Sequence, residues 1–225
     1  MQNYLRRGLT AVRFRVDRRL DRASIARAHD VLYLSDAWTK ATWLGAQALK
    51  NPLDLWIYQE IVYETRPALI VETGTYRGGS AYYLASLCDL VGAGEVVSID
   101  IEPVREDYPE HPRITYLGGR SSTDPEVVAH VRERAAGKPI LVVLDSDHSQ
   151  AHVEAELAAY APLVPVGCYV IVEDSNIGRI RKDLLPGPLE AIESFLARTD
   201  EFEVDREREK FLITFNPSGY LRRVR

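Results

Sequence analysis

The chain has 225 residues, 46% hydrophobic and 27% charged, a balance that excludes a fibrous or disordered protein and fits one globular domain with a short extension. Its net charge of −5 argues against a general nucleic-acid binder, because neutralising phosphates needs a basic surface. The two cysteines, Cys88 and Cys168, exclude a disulfide framework and a four-cysteine zinc site and read as inert core thiols.

At the N-terminus Arg6, Arg7, Arg13, Arg15, Arg18, Arg19 and Arg22 sit among only Asp17 and Asp21, a basic arm that reads as solvated or subunit-contacting. No stretch reaches the ~18 apolar residues of a membrane span, and Met1 to Val16 lacks the apolar region of a signal peptide, so a cytoplasmic protein is expected. Residues 20–65 are helical in pattern but carry Trp38, Trp43 and Trp56, which suits a cap over a ligand site better than a solvated tail. The expected division is therefore an arm and helical cap, 1–65, and a cofactor-binding domain, 66–225. Arm and cap together exceed what one small domain needs, and a two-fold homo-oligomer is expected.

Five strand-like runs follow: Ala68–Glu72, Glu95–Asp100, Arg113–Leu117, Ile140–Asp145 and Gly167–Glu173. The first, fourth and fifth are Val/Ile/Leu-rich without alternation, as in a parallel sheet buried on both faces. Helical patterns lie between them at Gly79–Leu90, Pro125–Ala136 and Gln150–Ala161, giving repeated βαβ units. After a loop rich in Gly and Pro comes a helix around Pro188–Ala197. Phe202–Asp205 and Lys210–Phe215 then read as an antiparallel hairpin at the sheet edge.

Ligands of open α/β sheets bind at the carboxyl ends of the strands. The first strand runs into Glu72-Thr73-Gly74-Thr75-Tyr76-Arg77-Gly78-Gly79-Ser80. A dinucleotide fingerprint needs glycine where Tyr76 stands, so the loop suits a ligand without pyrophosphate. Glu72 would repel phosphate and accept hydrogen bonds from an amine or hydroxyl. Asp100, ending the second strand, can take both hydroxyls of a ribose, and Gly118 to Ser122, Ser121 among them, offer small residues to an adenine edge. These features fit S-adenosylmethionine, held by Glu72, Gly74, Tyr76, Gly78, Ser80, Asp100 and Ser121. An NAD-linked oxidoreductase and a non-catalytic binding protein are the rival classes.

The fourth strand ends in Asp145-Ser146-Asp147-His148 and the fifth in Glu173-Asp174-Ser175. Neighbouring strands lie ~4.8 Å apart, which brings these carboxylates within reach of one ion. Hard oxygen donors favour Mg²⁺, Mn²⁺ or Ca²⁺. A zinc or iron reading on His148 and His152 with Asp145 would leave Glu173 and Asp174 unexplained.

The chain resembles the cephalosporin hydroxylase and rhamnosyl O-methyltransferase group of class I S-adenosylmethionine-dependent methyltransferases. The resemblance rests on Thr42-Trp43-Leu44-Gly45, Glu72-Thr73-Gly74 with Gly78-Gly79-Ser80, Asp145-Ser146-Asp147-His148-Ser149 and Val172-Glu173-Asp174. It implies a Rossmann-like α/β fold with a mostly parallel seven-stranded sheet in the order 3-2-1-4-5-7-6. It also implies Mg²⁺ or Mn²⁺ on Asp145, Glu173 and Asp174, and Asp147 as general base. The expected reaction is O-methylation of a small hydroxylated acceptor, with His148 as the alternative base, and Trp38 and Trp43 against the acceptor.

Overall fold

The computed structural model describes residues 18–225. Residues 1–17, with most of the arginine-rich arm, lie outside the described residues. Helix α1 (Arg18–Leu34) leads through a short turn to a small hairpin, β1 (Thr42–Trp43) and β2 (Ala46–Gln47), and then to α2 (Pro52–Thr65). The βαβ core follows as β3 (Leu69–Thr73), α3 (Gly79–Val91), β4 (Glu95–Ile99), β5 (Ile114–Leu117), α4 (Pro125–Ala135), β6 (Ile140–Leu144), α5 (Gln150–Tyr160) and β7 (Tyr169–Val172). Short α6 (Ile177–Ile180), then α7 (Pro188–Leu196), β8 (Phe202–Val204) and β9 (Tyr220–Arg223) complete the chain.

The sheet order is β5-β4-β3-β6-β7-β9-β8, with β9 antiparallel to both β7 and β8. Numbered from β3, this is the expected 3-2-1-4-5-7-6. Alternate residues of each strand feed two cores, as a period of two requires. Leu69, Val71, Val142 and Val170 meet α4, α5 and α7 on one face. Ile70, Leu141, Val143 and Ile171 meet α2 and α3 on the other. Cys88 and Cys168 belong to these two cores, and burial raises both thiols, Cys88 to about 11.

Helix starts follow local sequence. Asn51 caps α2 by accepting the Leu53 N–H at 3.1 Å, and Asp124 caps α4 by accepting the Glu126 N–H at 3.1 Å, each just before a proline in the first turn. Such a cap stabilises its helix by roughly 1 kcal/mol, and proline there forfeits no helical bond.

Two expectations need correction. The hairpin partner of β8 is Tyr220–Arg223, not Lys210–Phe215. Residues 210–215 form a loop in which Phe215 packs against His29, Tyr33 and Trp38, while Leu212 is exposed with φ +67°. Within the presumed cap, α2 is a sheet-covering helix whose Ile57, Tyr58, Ile61 and Val62 are core residues. The segment before it supplies Trp38 and Leu49 to the ligand end of the sheet.

Candidate active site

The loops after β3, β4, β5, β6 and β7 surround a cavity of about 590 Å³ at the carboxyl end of the sheet, within the usual size of a small-molecule site. Trp38, Tyr76, Asp100, Ser121, Asp145 and His148 are among its lining residues, and Asp147 and Asp174 also reach it. A larger cavity, about 950 Å³, opens elsewhere around Arg208. Arg208 there is already paired with Glu64 and Asp205, and none of the expected site residues line it.

The cofactor end is set by backbone geometry. Gly74 has φ +86°, and a Cβ on it would lie 1.9 Å from the Asp145 carbonyl oxygen, so only glycine lets the β3 loop pass the end of β6. Tyr76 turns in the left-handed region at φ +47°, and its N–H donates to Asp100 Oδ2 at 2.9 Å. Asp100 Oδ1 accepts from the Glu102 N–H at 2.9 Å, which fixes the carboxylate toward the cavity. Gly78 begins α3 in the left-handed region. Glu72 and Ser80 are buried behind the loop and do not line the cavity. Glu72 Oε2 accepts the Ser98 hydroxyl at 2.6 Å, Oε1 has no partner, and burial raises its pKa.

At the other end Asp145, His148 and Asp174 each present a ligand atom within 4.8 Å of the others. His148 Nε2 lies 3.4 Å from Asp174 Oδ2. Asp174 sits at φ +52°, its N–H donating to Asn216 Oδ1 at 3.1 Å, a strained conformation of the kind functional sites retain. Burial, with the Asp145 charge added, pushes Asp174 up to about 6 against the opposing pull of His148. Glu173 is buried, and its carboxyl is raised well above the usual range by burial and by Asp145. Asp147 is different: exposed, it accepts the Ser149 N–H at 2.8 Å, which holds its pKa below the usual value. Trp38 lines the cavity as expected, whereas Trp43 turns away, edge-on to Tyr83 with its indole N–H on Ser86 Oγ at 3.0 Å.

Two site residues were not anticipated. Lys50 is buried, ion-paired to Asp145 and 2.7 Å from Glu173 Oε1. Glu156, fully buried on α5, accepts the hydroxyls of Ser122 at 2.6 Å and Ser146 at 2.8 Å, and both serines line the cavity. A carboxylate on the same face as Val153 and Tyr160 is the sequence signal that points to Glu156; Lys50, in a loop, has no comparable signal.

The sequence pattern of the rhamnosyl O-methyltransferase/CmcI family matches residues 35–224. The chain belongs to that family. It is a methyltransferase dependent on S-adenosylmethionine and acting on oxygen, which sets aside the oxidoreductase and non-catalytic readings. It is 38% identical over 206 residues to the rhamnosyl O-methyltransferase of Mycobacterium tuberculosis, covering 86% of this chain and 82% of that one. With the rhamnosyl O-methyltransferase of Mycobacterium leprae it shares 37% identity over 203 residues, 86% of this chain and 87% of the relative. Among solved structures, apo CmcI superposes with a TM-score of 0.63 at 25% identity, over 83% of this chain and 77% of that one. No helix among the described residues is long and apolar enough to cross a membrane.

Proposed function

We propose that the chain methylates a hydroxyl of a small acceptor of the sugar or natural-product type, with Mg²⁺ or Mn²⁺ held by Asp145, Glu173 and Asp174. The observation that carries this reading is one cavity with Asp100 at one end and Asp145, His148 and Asp174 at the other. The donor set suits a hard dication: Asp145 and Asp174 present oxygens within 4.8 Å of each other and of His148, and the buried Glu173 shares the Lys50 ammonium with Asp145. A cation bound there lowers the pKa of a hydroxyl beside it.

The chain's own residues supply the rest. Asp100 would accept the ribose hydroxyls of S-adenosylmethionine in charge-assisted hydrogen bonds, and the Gly74–Gly78 turn would carry the backbone past the cofactor. His148, at the same end of the cavity, would take the acceptor's proton as general base, with Asp147 as the other candidate. Trp38 closes part of the wall and limits water.

The mycobacterial relatives are named for rhamnosyl groups, so a rhamnoside, with its vicinal hydroxyls, is the first acceptor to assay. Methyl transfer from labelled S-adenosylmethionine that requires Mg²⁺ and stops in chelator is the expected result; full turnover in excess chelator would remove the metal. A homo-oligomer is also part of the reading. Trp56 and Tyr63, seven residues apart on α2, are 59% and 63% exposed, a pair of aromatics suited to a partner subunit.

A further inference from the structure

Lys50 stands out because nothing in the reaction requires a buried ammonium between two of the acids. It is 4% exposed, lies 2.7 Å from Glu173 Oε1 and is ion-paired to Asp145. Its backbone seat is rigid. The Gln47 carbonyl is pressed against the start of α3 so closely that a Cβ on Gly79 would meet it at 1.9 Å. On the other side the Lys50 N–H donates to the Ala48 carbonyl at 2.9 Å, and Asn51 is fixed as the cap of α2. The ammonium is thus delivered to one place by a segment tied down at both ends.

We infer that Lys50 is an internal counter-ion for the acidic centre, occupying in the cation-free enzyme the position between Asp145 and Glu173 that a divalent cation must contest. The inference rests on the proposed metal reading. Carboxylates gathered in a poorly solvated site repel one another, and an ammonium between them keeps the pocket assembled before a cation arrives. The same ammonium repels the cation, so the centre binds metal more weakly than its three acids would alone. Lys50 therefore sets how much free Mg²⁺ or Mn²⁺ is needed to load the enzyme, and it keeps the unloaded fold intact.

The test uses the full chain freed of metal by chelator, with MnCl₂ as the probe, binding read by calorimetry and melting by circular dichroism. Lys50→Met is expected to melt below wild type in chelator, to gain more in melting temperature from Mn²⁺ than wild type does, and to bind Mn²⁺ at least about tenfold tighter. Lys50→Arg keeps the charge and is expected to stay within a few-fold of wild type. If Lys50→Met folds only when Mn²⁺ is present, that rescue supports the inference. Lys50→Met that binds Mn²⁺ no tighter than wild type, or stays equally destabilised with and without it, overturns the inference while leaving the metal site standing. Lys50→Arg binding as tightly as Lys50→Met overturns it as well. Absence of Mn²⁺ binding in wild type and both variants refutes the metal reading itself.

Discussion

Gly74→Ala is the sharpest perturbation of the link between the cofactor loop and the acidic centre. The Gly74 N–H donates to the Ile99 carbonyl at 2.8 Å, while a Cβ would stand 1.9 Å from the Asp145 carbonyl oxygen, where real contacts begin near 3.0 Å. The obstacle is backbone on both sides, so either β6 or the loop must move by about 1 Å. Alanine in the left-handed region costs roughly 1–2 kcal/mol, and overpacking a closed site adds about 1–3 kcal/mol. A total destabilisation of about 2–5 kcal/mol is a large share of a domain's ~5–15 kcal/mol. Urea unfolding should show a lower midpoint at unchanged slope. Binding of S-adenosylhomocysteine by calorimetry should weaken too, because the displaced loop carries Tyr76, whose N–H orients Asp100. A Gly74→Ala protein within about 0.5 kcal/mol of wild type and with unchanged affinity would refute this reasoning.

Asp100→Ala should weaken S-adenosylhomocysteine binding by about 1.5–3 kcal/mol in calorimetry, the worth of charge-assisted hydrogen bonds. His148→Ala should lower kcat by roughly 10²–10⁴-fold with the cofactor Kd unchanged, whereas Asp147→Asn should cost far less; the opposite ranking would return the base to Asp147. Because burial pushes Asp174 up to about 6 and raises Glu173 as well, protons compete with a cation for both, so Mn²⁺ affinity measured by titration should drop on acidification, steeply as pH falls through about 6. Glu156→Ala leaves the Ser146 hydroxyl without its partner and Ser122 with His152 alone, and should cost about 1–3 kcal/mol of cofactor affinity, with Glu156→Gln recovering most of it. Light scattering should give a mass above one protomer, and Trp56→Glu should lower it; a monomeric wild type contradicts the oligomer.

The parallel core was legible because Leu69–Thr73, Ile140–Leu144 and Tyr169–Val172 are buried on both faces and read as continuous apolar runs. The last strand was not. Tyr220–Arg223 shows two arginines where an inner strand would show aliphatics, and Arg223 is absorbed locally by Glu201 and the Val164 carbonyl. Phe211 and Phe215 gave residues 210–215 a strand-like look, yet Phe215 serves an aromatic cluster with His29 and Trp38. In the site, Asp100, Asp145, Glu173 and Asp174 fall at strand ends, where local sequence betrays them. Lys50 meets Asp145 across 95 residues of chain, and Ser122 meets Glu156 across 34. Only tertiary packing creates such pairs, and a loop lysine carries no periodicity to announce them.

The proposed site would take S-adenosylmethionine on Asp100 and a hard cation on Asp145, Asp174 and the buried Glu173. Anomalous diffraction from crystals soaked with MnCl₂ and S-adenosylhomocysteine tests it most directly. One manganese peak touching those carboxylates is expected, with the cofactor's ribose on Asp100 and the Lys50 ammonium displaced from Asp145. Cofactor bound as described with no manganese at the acidic cluster, at a concentration that saturates the solution titration, would contradict it.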